Sequence, residues 1–221
     1  MKRIIFLIIF AISFAYIEAS VVVYLRDILY PEGFSFPLRY ISPLRAIIEI
    51  GREFFSIVLI FSVSFLSSKD CWKRFGAFCF LFGVWDIFFY IWLKIFLNWP
   101  SSLLEWDILF LIPAPWTGPV IAPIIVSLTL IFIFILIELY KDKPFKLSTF
   151  HVILSILGFL VIFVSFIWNA VPVARGEIPQ NYPWYLLAIG EIFLLYVIIK
   201  NFLNQKRAKN PNCLEELEKA R

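Results

Sequence analysis

The sequence predicts an all-α fold: a polytopic membrane helix bundle of about six transmembrane helices plus a short outer interfacial helix. Three observations predict it. Of 221 residues, 62% are hydrophobic and only 16% charged, whereas a soluble domain is about half apolar and about a quarter charged. The apolar residues gather in runs of about 20, the length a helix needs to cross the hydrocarbon layer at a rise of about 1.5 Å per residue. The basic residues between the runs alternate in density from loop to loop, as the positive-inside rule requires.

Taken in order, the predicted spans cover 4–25, 46–66, 75–97, 119–140, 147–169 and 184–203. Each is apolar on most faces, as suits a helix surrounded by lipid and neighbouring helices. The runs are too long and too little alternating for the strands of a membrane barrel. The first run, after Met1-Lys2-Arg3, exceeds the core of a signal peptide (about 7–15 residues), so a span is preferred over a leader cut after Ala19. Residues 1–204 then form one transmembrane domain and 205–221 a short polar cytoplasmic tail.

Direction follows from Lys and Arg. Fourteen of the twenty basic residues fall on one side, in clusters at Lys2 and Arg3, at Lys69, Lys73 and Arg74, at Lys141, Lys143 and Lys146, and from Lys200 to Arg221. Four (Arg26, Arg39, Arg45, Arg175) fall on the other, while Arg52 and Lys94 lie inside spans. This places both termini in the cytoplasm and the chain in the plasma (inner) membrane. The net charge of +4 is a topology signal and not a nucleic-acid-binding stripe.

Two outer connections are long. Residues 26–45 carry Pro31, Gly33, Pro37 and Pro43, a turn-rich segment. In the second, 98–118, Ser102 and Glu105 fit a capping box, which predicts a short interfacial helix over 102–112 ended by Pro113 and Pro115. Trp99, Trp106 and Trp116 then suit an aromatic belt at headgroup depth.

With the spans oriented, the ionisable residues inside them gather at one depth. Glu18, Glu49, Arg52, Glu53, Asp86 and Glu191 all fall in the outer half of the bilayer, with Asp107 beside them on the outer connection. A charge at a helix centre costs about 2.5–3.5 kcal/mol on insertion scales, so these groups should face the bundle interior and pair or meet water. Glu49 and Glu53 share a face at i, i+4, and Arg52 stands i+3 from Glu49, placed to bridge to Glu18, Asp86 or Glu191 on another helix. Carboxylates outnumber bases, which calls for protons, a bound cation or water from outside. Interhelical pairing that only fixes register is the structural alternative.

Specific chemistries find little support. The single histidine, His151, sits at a predicted cytoplasmic boundary, far from the acids. No haem, zinc or nucleotide motif is visible, and the three cysteines share no ligand spacing. Glu49-Ile50-Gly51-Arg52-Glu53 resembles the ExxxE element of polyprenyl-pyrophosphate phosphatases, but their Gly/Ser/Arg-rich second signature is absent. A divalent cation held by the carboxylates stays possible.

The stretch Trp85-Asp86-Ile87-Phe88-Phe89-Tyr90, Trp99-Pro100, Trp106-Asp107-Ile108-Leu109-Phe110, Pro113-Ala114-Pro115-Trp116, taken with Glu18 and residues 49–53, is similar to a family of uncharacterised polytopic prokaryotic membrane proteins. The resemblance covers roughly the first four spans and implies a site there without naming its chemistry. Three functions stay open: binding or transport of a cation, proton or cationic solute; an enzyme on a lipid or isoprenoid substrate at the outer leaflet; and an accessory subunit of another membrane protein. The expected partners are the lipid bilayer, a small cation or lipid-like ligand, or another membrane subunit, with no nucleic acid.

Overall fold

A computed structural model describes residues 2–139 and 147–209. They form α1 (Lys2–Leu29), α2 (Pro43–Leu66), α3 (Cys71–Leu97), β1 (Trp106–Phe110), β2 (Trp116–Pro119), α4 (Ile121–Leu139), α5 (Thr149–Ile167), α6 (Ala170–Ala174) and α7 (Trp184–Lys209). Among the described residues, five segments are long and apolar enough to cross a membrane: α1, α3, α4, Thr149–Ala174 and the apolar part of α7. The protein is therefore a multi-pass membrane protein. Helix α2 has the length, at 24 residues, but Arg45, Glu49, Arg52 and Glu53 crowd its first half.

Local chemistry sets the helix ends. Ser42 is the extended N-cap of α2 and Pro43 supplies its first turn, where a missing N–H costs nothing. Asp70 caps α3 by accepting from the Lys73 amide at 2.8 Å, and Ser148 caps α5 by accepting from the His151 amide at 3.3 Å. Helix α3 stops at Asn98, which takes the left-handed conformation (φ 52°) that asparagine tolerates better than most residues. Lys94 reaches forward past the helix end and donates to the carbonyls of Asn98 (3.2 Å) and Pro100 (2.9 Å).

Helices α1 and α3 run parallel. Leu7 near the start of α1 and Ala77 near the start of α3 share one core cluster, and Arg26 near the end of α1 stacks on Trp99 just beyond the end of α3. Helix α2 must therefore return along the full length of the bundle. Its residues confirm the direction: Arg52 meets Glu18, while Ile60, two turns on, joins the cluster of Leu7 and Ala11. The buried positions of α2 (Glu49, Glu53, Ser56, Ile60, Ser64) trace one stripe at helical spacing. At the opposite end of the bundle from Trp99, Arg3 pairs with Glu138 of α4.

The interfacial helix expected over 102–112 is not there. Trp106–Phe110 is a strand, antiparallel to Trp116–Pro119, with Asp107 opposite Gly118, Ile108 opposite Thr117 and an irregularity between Ile108 and Phe110. The Ser102/Glu105 pair makes a turn, Glu105 N–H donating to the Ser102 carbonyl at 3.0 Å, and the Glu105 carboxylate reaches back to Ser101 instead of capping a helix. Aromatic and β-branched side chains on both sides of the Pro113–Pro115 turn favour the hairpin. It sinks into the bundle, where Asp107 and Thr117 are buried. The tryptophans go with it: Trp116 stacks on Phe166, Trp106 meets Tyr182 edge-on, and Trp99 lies against Arg26. Protein groups, and not a headgroup layer alone, are their surroundings. Helix α7 also runs past the expected domain limit at 204 as far as Lys209; the rest of the proposed tail lies outside the described residues.

Candidate functional site

Four elements meet at the hairpin end of the bundle and bring their charges together. On α1, Glu18, Val22 and Arg26 recur at i, i+4 and i+8 on one stripe. On α2, Arg52 donates through Nε to Glu49 at 2.9 Å and through Nη1 to Glu18 of α1. Of the three acids within reach by sequence, Glu18 is the one Arg52 bridges to. This guanidinium takes one carboxylate from its own helix and one from its neighbour, which ties α1 to α2 across the bundle.

Glu53, one turn on from Glu49, makes no salt bridge among the described residues and accepts from the Leu111 backbone N–H at 2.8 Å. The hairpin is thereby fastened to α2 by a carboxylate and an amide. Asp86 of α3 accepts from Ser127 Oγ of α4 at 2.8 Å. That contact depends on a close approach: a Cβ added to Gly83, one turn before Asp86, would lie 2.6 Å from the Ser127 carbonyl oxygen. Glycine there lets α3 and α4 meet backbone to backbone.

Asp107 of β1 pairs with Arg26 Nη2 at 2.7 Å, both side chains being almost wholly buried. The Arg26 guanidinium also lies 3.9 Å from the Trp99 ring centre and 4.6 Å from that of Phe34. Aromatic faces thus cover its sides while the carboxylate takes its edge. Burial pushes the Asp107 carboxyl upward, and the Arg26 charge, the Ile108 amide and the Tyr90 hydroxyl pull against that push.

These groups surround two adjoining cavities. The mouth chamber, of about 140 Å³, lies under the turn-rich 30–41 segment and includes Phe34, Arg39, Glu49, Arg52 and Asp107 in its lining. The deep chamber, of about 70 Å³, is bounded by Glu18, Ser56, Asp86 and Tyr90. Val22, Arg26, Arg52, Glu53 and Ile108 line both and form the wall between them. At roughly 10–15 Å³ of such volume per water, the deep chamber has room for a few waters or a small ion.

Of the residues expected from sequence, Glu18, Glu49, Arg52, Glu53, Asp86 and Asp107 come together here. Glu191 does not. It lies on α7, accepts from Thr129 Oγ1 of α4 at 2.6 Å, and lines neither chamber. Four further residues belong to the site: Arg26, Arg39, Tyr90 and Ser127. For Arg26 the i+8 spacing from Glu18 was the available signal. Among the described residues no group of three or more carboxylate, histidine or cysteine side chains is placed to hold a metal ion. Glu49 is taken by Arg52 and Glu53 by the hairpin amide, so the ExxxE pair does not present a joint ligand set. No protein-family model, curated protein or solved structure matches the chain, and the chemistry of the site rests on its own geometry.

Proposed function

We propose that the chain is a plasma-membrane protein of six spans, α2 included, with both termini cytoplasmic and the mouth chamber facing outside. Its function in this reading is to bind or transport a small cation, a proton or a cationic solute. The charge bias of the loops supports the orientation, and the full-length return of α2 supports the sixth span. One observation carries the function. Glu53 and Asp86 line the deep chamber, yet their hydrogen bonds come from a backbone amide and a serine hydroxyl, not from a basic side chain. The two arginines at hand make their salt bridges elsewhere, Arg52 with Glu18 and Glu49 and Arg26 with Asp107, so Arg52 acts on Glu53 only through space. A carboxylate kept in a membrane interior beside open volume is costly unless a proton, a cation or water answers it.

Reconstituted protein tests this directly. Proton, sodium, potassium and ethylammonium fluxes are measured into proteoliposomes. At least one should proceed and fall tenfold or more with Asp86→Asn and with Glu53→Gln, while Glu191→Gln retains it. Flux indifferent to both chamber substitutions would sink the reading. The apolar wall of the mouth chamber, with Leu25, Leu29, Leu38 and Ile41, favours a second reading, an enzyme or receptor for a lipid-like molecule at the outer leaflet.

A further inference from the structure

The two chambers differ in charge balance. Three carboxylates (Glu18, Glu53, Asp86) and two arginines (Arg26, Arg52) line the deep one, which is net acidic. The mouth chamber has three of each: Arg26, Arg39 and Arg52 against Glu49, Glu53 and Asp107. Within that balanced set, Arg26 is matched to Asp107 and Arg52 to Glu49. One residue of each sign is left without a salt bridge among the described residues. Arg39 is exposed and forms no ion pair among the described residues; its guanidinium stands 5.5 Å from the Tyr30 ring centre. Glu53 is 7% exposed and accepts from the Leu111 amide alone. Apolar side chains, Leu25, Leu29, Leu38 and Ile41, make up much of the remaining wall.

A cation and an anion that lack salt-bridge partners, on one small and partly apolar chamber, match a ligand that carries both charges. We propose that the mouth chamber binds a small zwitterion, with its ammonium group at Glu53 and its anionic group at Arg39. This rests on the cation reading above and names the substrate class. A lone ammonium ion would use Glu53 and leave the chamber's free guanidinium unused. A lone anion would have to lie beside Glu53. A zwitterion meets both without changing the chamber's net charge, and the guanidinium fork accepts a carboxylate or a phosphate equally well. Because Glu53 belongs to both chambers, the ammonium end is also the end presented to Asp86. The shared chemistry, an ammonium joined to an anionic group by a short spacer, occurs in free amino acids and in the headgroups of zwitterionic lipids.

Isothermal titration calorimetry on the full-length protein in detergent separates these sources with four probes. γ-Aminobutyrate and glycerophosphoethanolamine carry both charges, butylammonium only the positive one and butyrate only the negative one. At least one of the two zwitterions should bind tenfold or more tighter than butylammonium, and butyrate weakest of all. Preference for glycerophosphoethanolamine identifies a lipid headgroup as the source, and preference for γ-aminobutyrate a free solute. Arg39→Gln should lower the zwitterion's affinity to that of butylammonium without altering butylammonium itself, and Arg39→Lys should restore most of it. Arg39 is exposed, so these variants do not disturb the core. If butylammonium binds as tightly as either zwitterion, or if Arg39→Gln changes nothing, the zwitterion is overturned and the cation site stands. If neither zwitterion nor butylammonium binds, and the fluxes above are absent as well, both readings fall.

Discussion

Between α1, α2, α3 and the hairpin, carboxylates from all four elements and two buried or half-buried arginines surround open volume. Between α5 and α7 the backbones close on each other instead. A Cβ at Gly190 would lie 2.5 Å from Ile162 Cγ1 and 2.7 Å from the Gly158 carbonyl oxygen, and one at Gly158 would lie 3.0 Å from the Gly190 carbonyl oxygen. Polar side chains occur in this second region too, each bonded to a neutral partner on a neighbouring segment: Ser165 Oγ with Tyr182 Oη at 2.9 Å, Glu191 with the Thr129 hydroxyl at 2.6 Å. Helix α4 touches both worlds, presenting Ser127 to Asp86 and Thr129 to Glu191. Helices in lipid gain little from hydrophobic exclusion and associate through close packing. The glycine-packed region follows that rule. The charged region departs from it by keeping both space and charge, and a departure of that kind is where function is expected.

The largest expected effect tests whether charge holds the first region together. Removing one partner of a buried ion pair leaves the other uncompensated, a loss of about 3–5 kcal/mol, whereas replacing both by apolar residues is often neutral. Arg26→Ala should therefore destabilise the protein strongly in denaturant titrations in detergent. Arg26→Met combined with Asp107→Leu should recover most of the loss. If the single variant is as stable as the parent, the Arg26–Asp107 contact is decoration on a hairpin held by its aromatic packing.

Next in size is the glycine contact. Gly190→Ala forces a methyl group into backbone and a branched side chain, and overpacking of this kind costs about 1–3 kcal/mol. Cation or zwitterion affinity in the surviving folded fraction should be unchanged, since neither chamber is lined by α5 or α7. Gly51→Ala sharpens the contrast. Nothing lies within 4 Å of its added Cβ, so that variant should be neutral or slightly stabilising, as alanine favours helix over glycine. Equal losses at the two positions would remove the distinction between the regions.

Much of this architecture is legible in the sequence, and the failures have definite causes. Run length locates five of the expected spans, and together with basic-residue bias it puts Glu18, Glu49, Arg52, Glu53 and Asp86 at one height, at the end of the bundle where the structure gathers them. Depth says nothing about direction around the bundle. That is why Glu191, at the same predicted height, turned out to face α4 and not the chambers. The hairpin is not legible in the sequence because its stability comes from pairing Trp106–Phe110 with Trp116–Pro119 across a proline turn, while the local Ser102/Glu105 spacing reads as a helix cap. Arg26 reads as a flanking charge, since an arginine at a span boundary looks alike in sequence whether it faces headgroups or folds back onto Asp107.

Smallest is the effect at the turn that leads into the hairpin, where Glu105 replaces the expected helix cap. Its carboxylate accepts from the Ser101 amide at 2.7 Å, from Ser101 Oγ at 2.9 Å and from Trp99 Nε1 at 2.7 Å. Partial burial works against its charged form, but these hydrogen bonds outweigh it and hold the carboxyl below the usual carboxylate range. A carboxyl lowered in the folded state stabilises that state above its unfolded value, about 4.3 for glutamate, and loses this contribution as pH falls through the folded one. The melting temperature of the parent should thus exceed that of Glu105→Gln near neutral pH, with the gap closing only below about pH 4.3. The chambers are untouched by this change, so ligand affinity at neutral pH should stay the same. No gap at neutral pH, or a gap that widens on acidification, would mean that the carboxylate's charge is incidental to the turn.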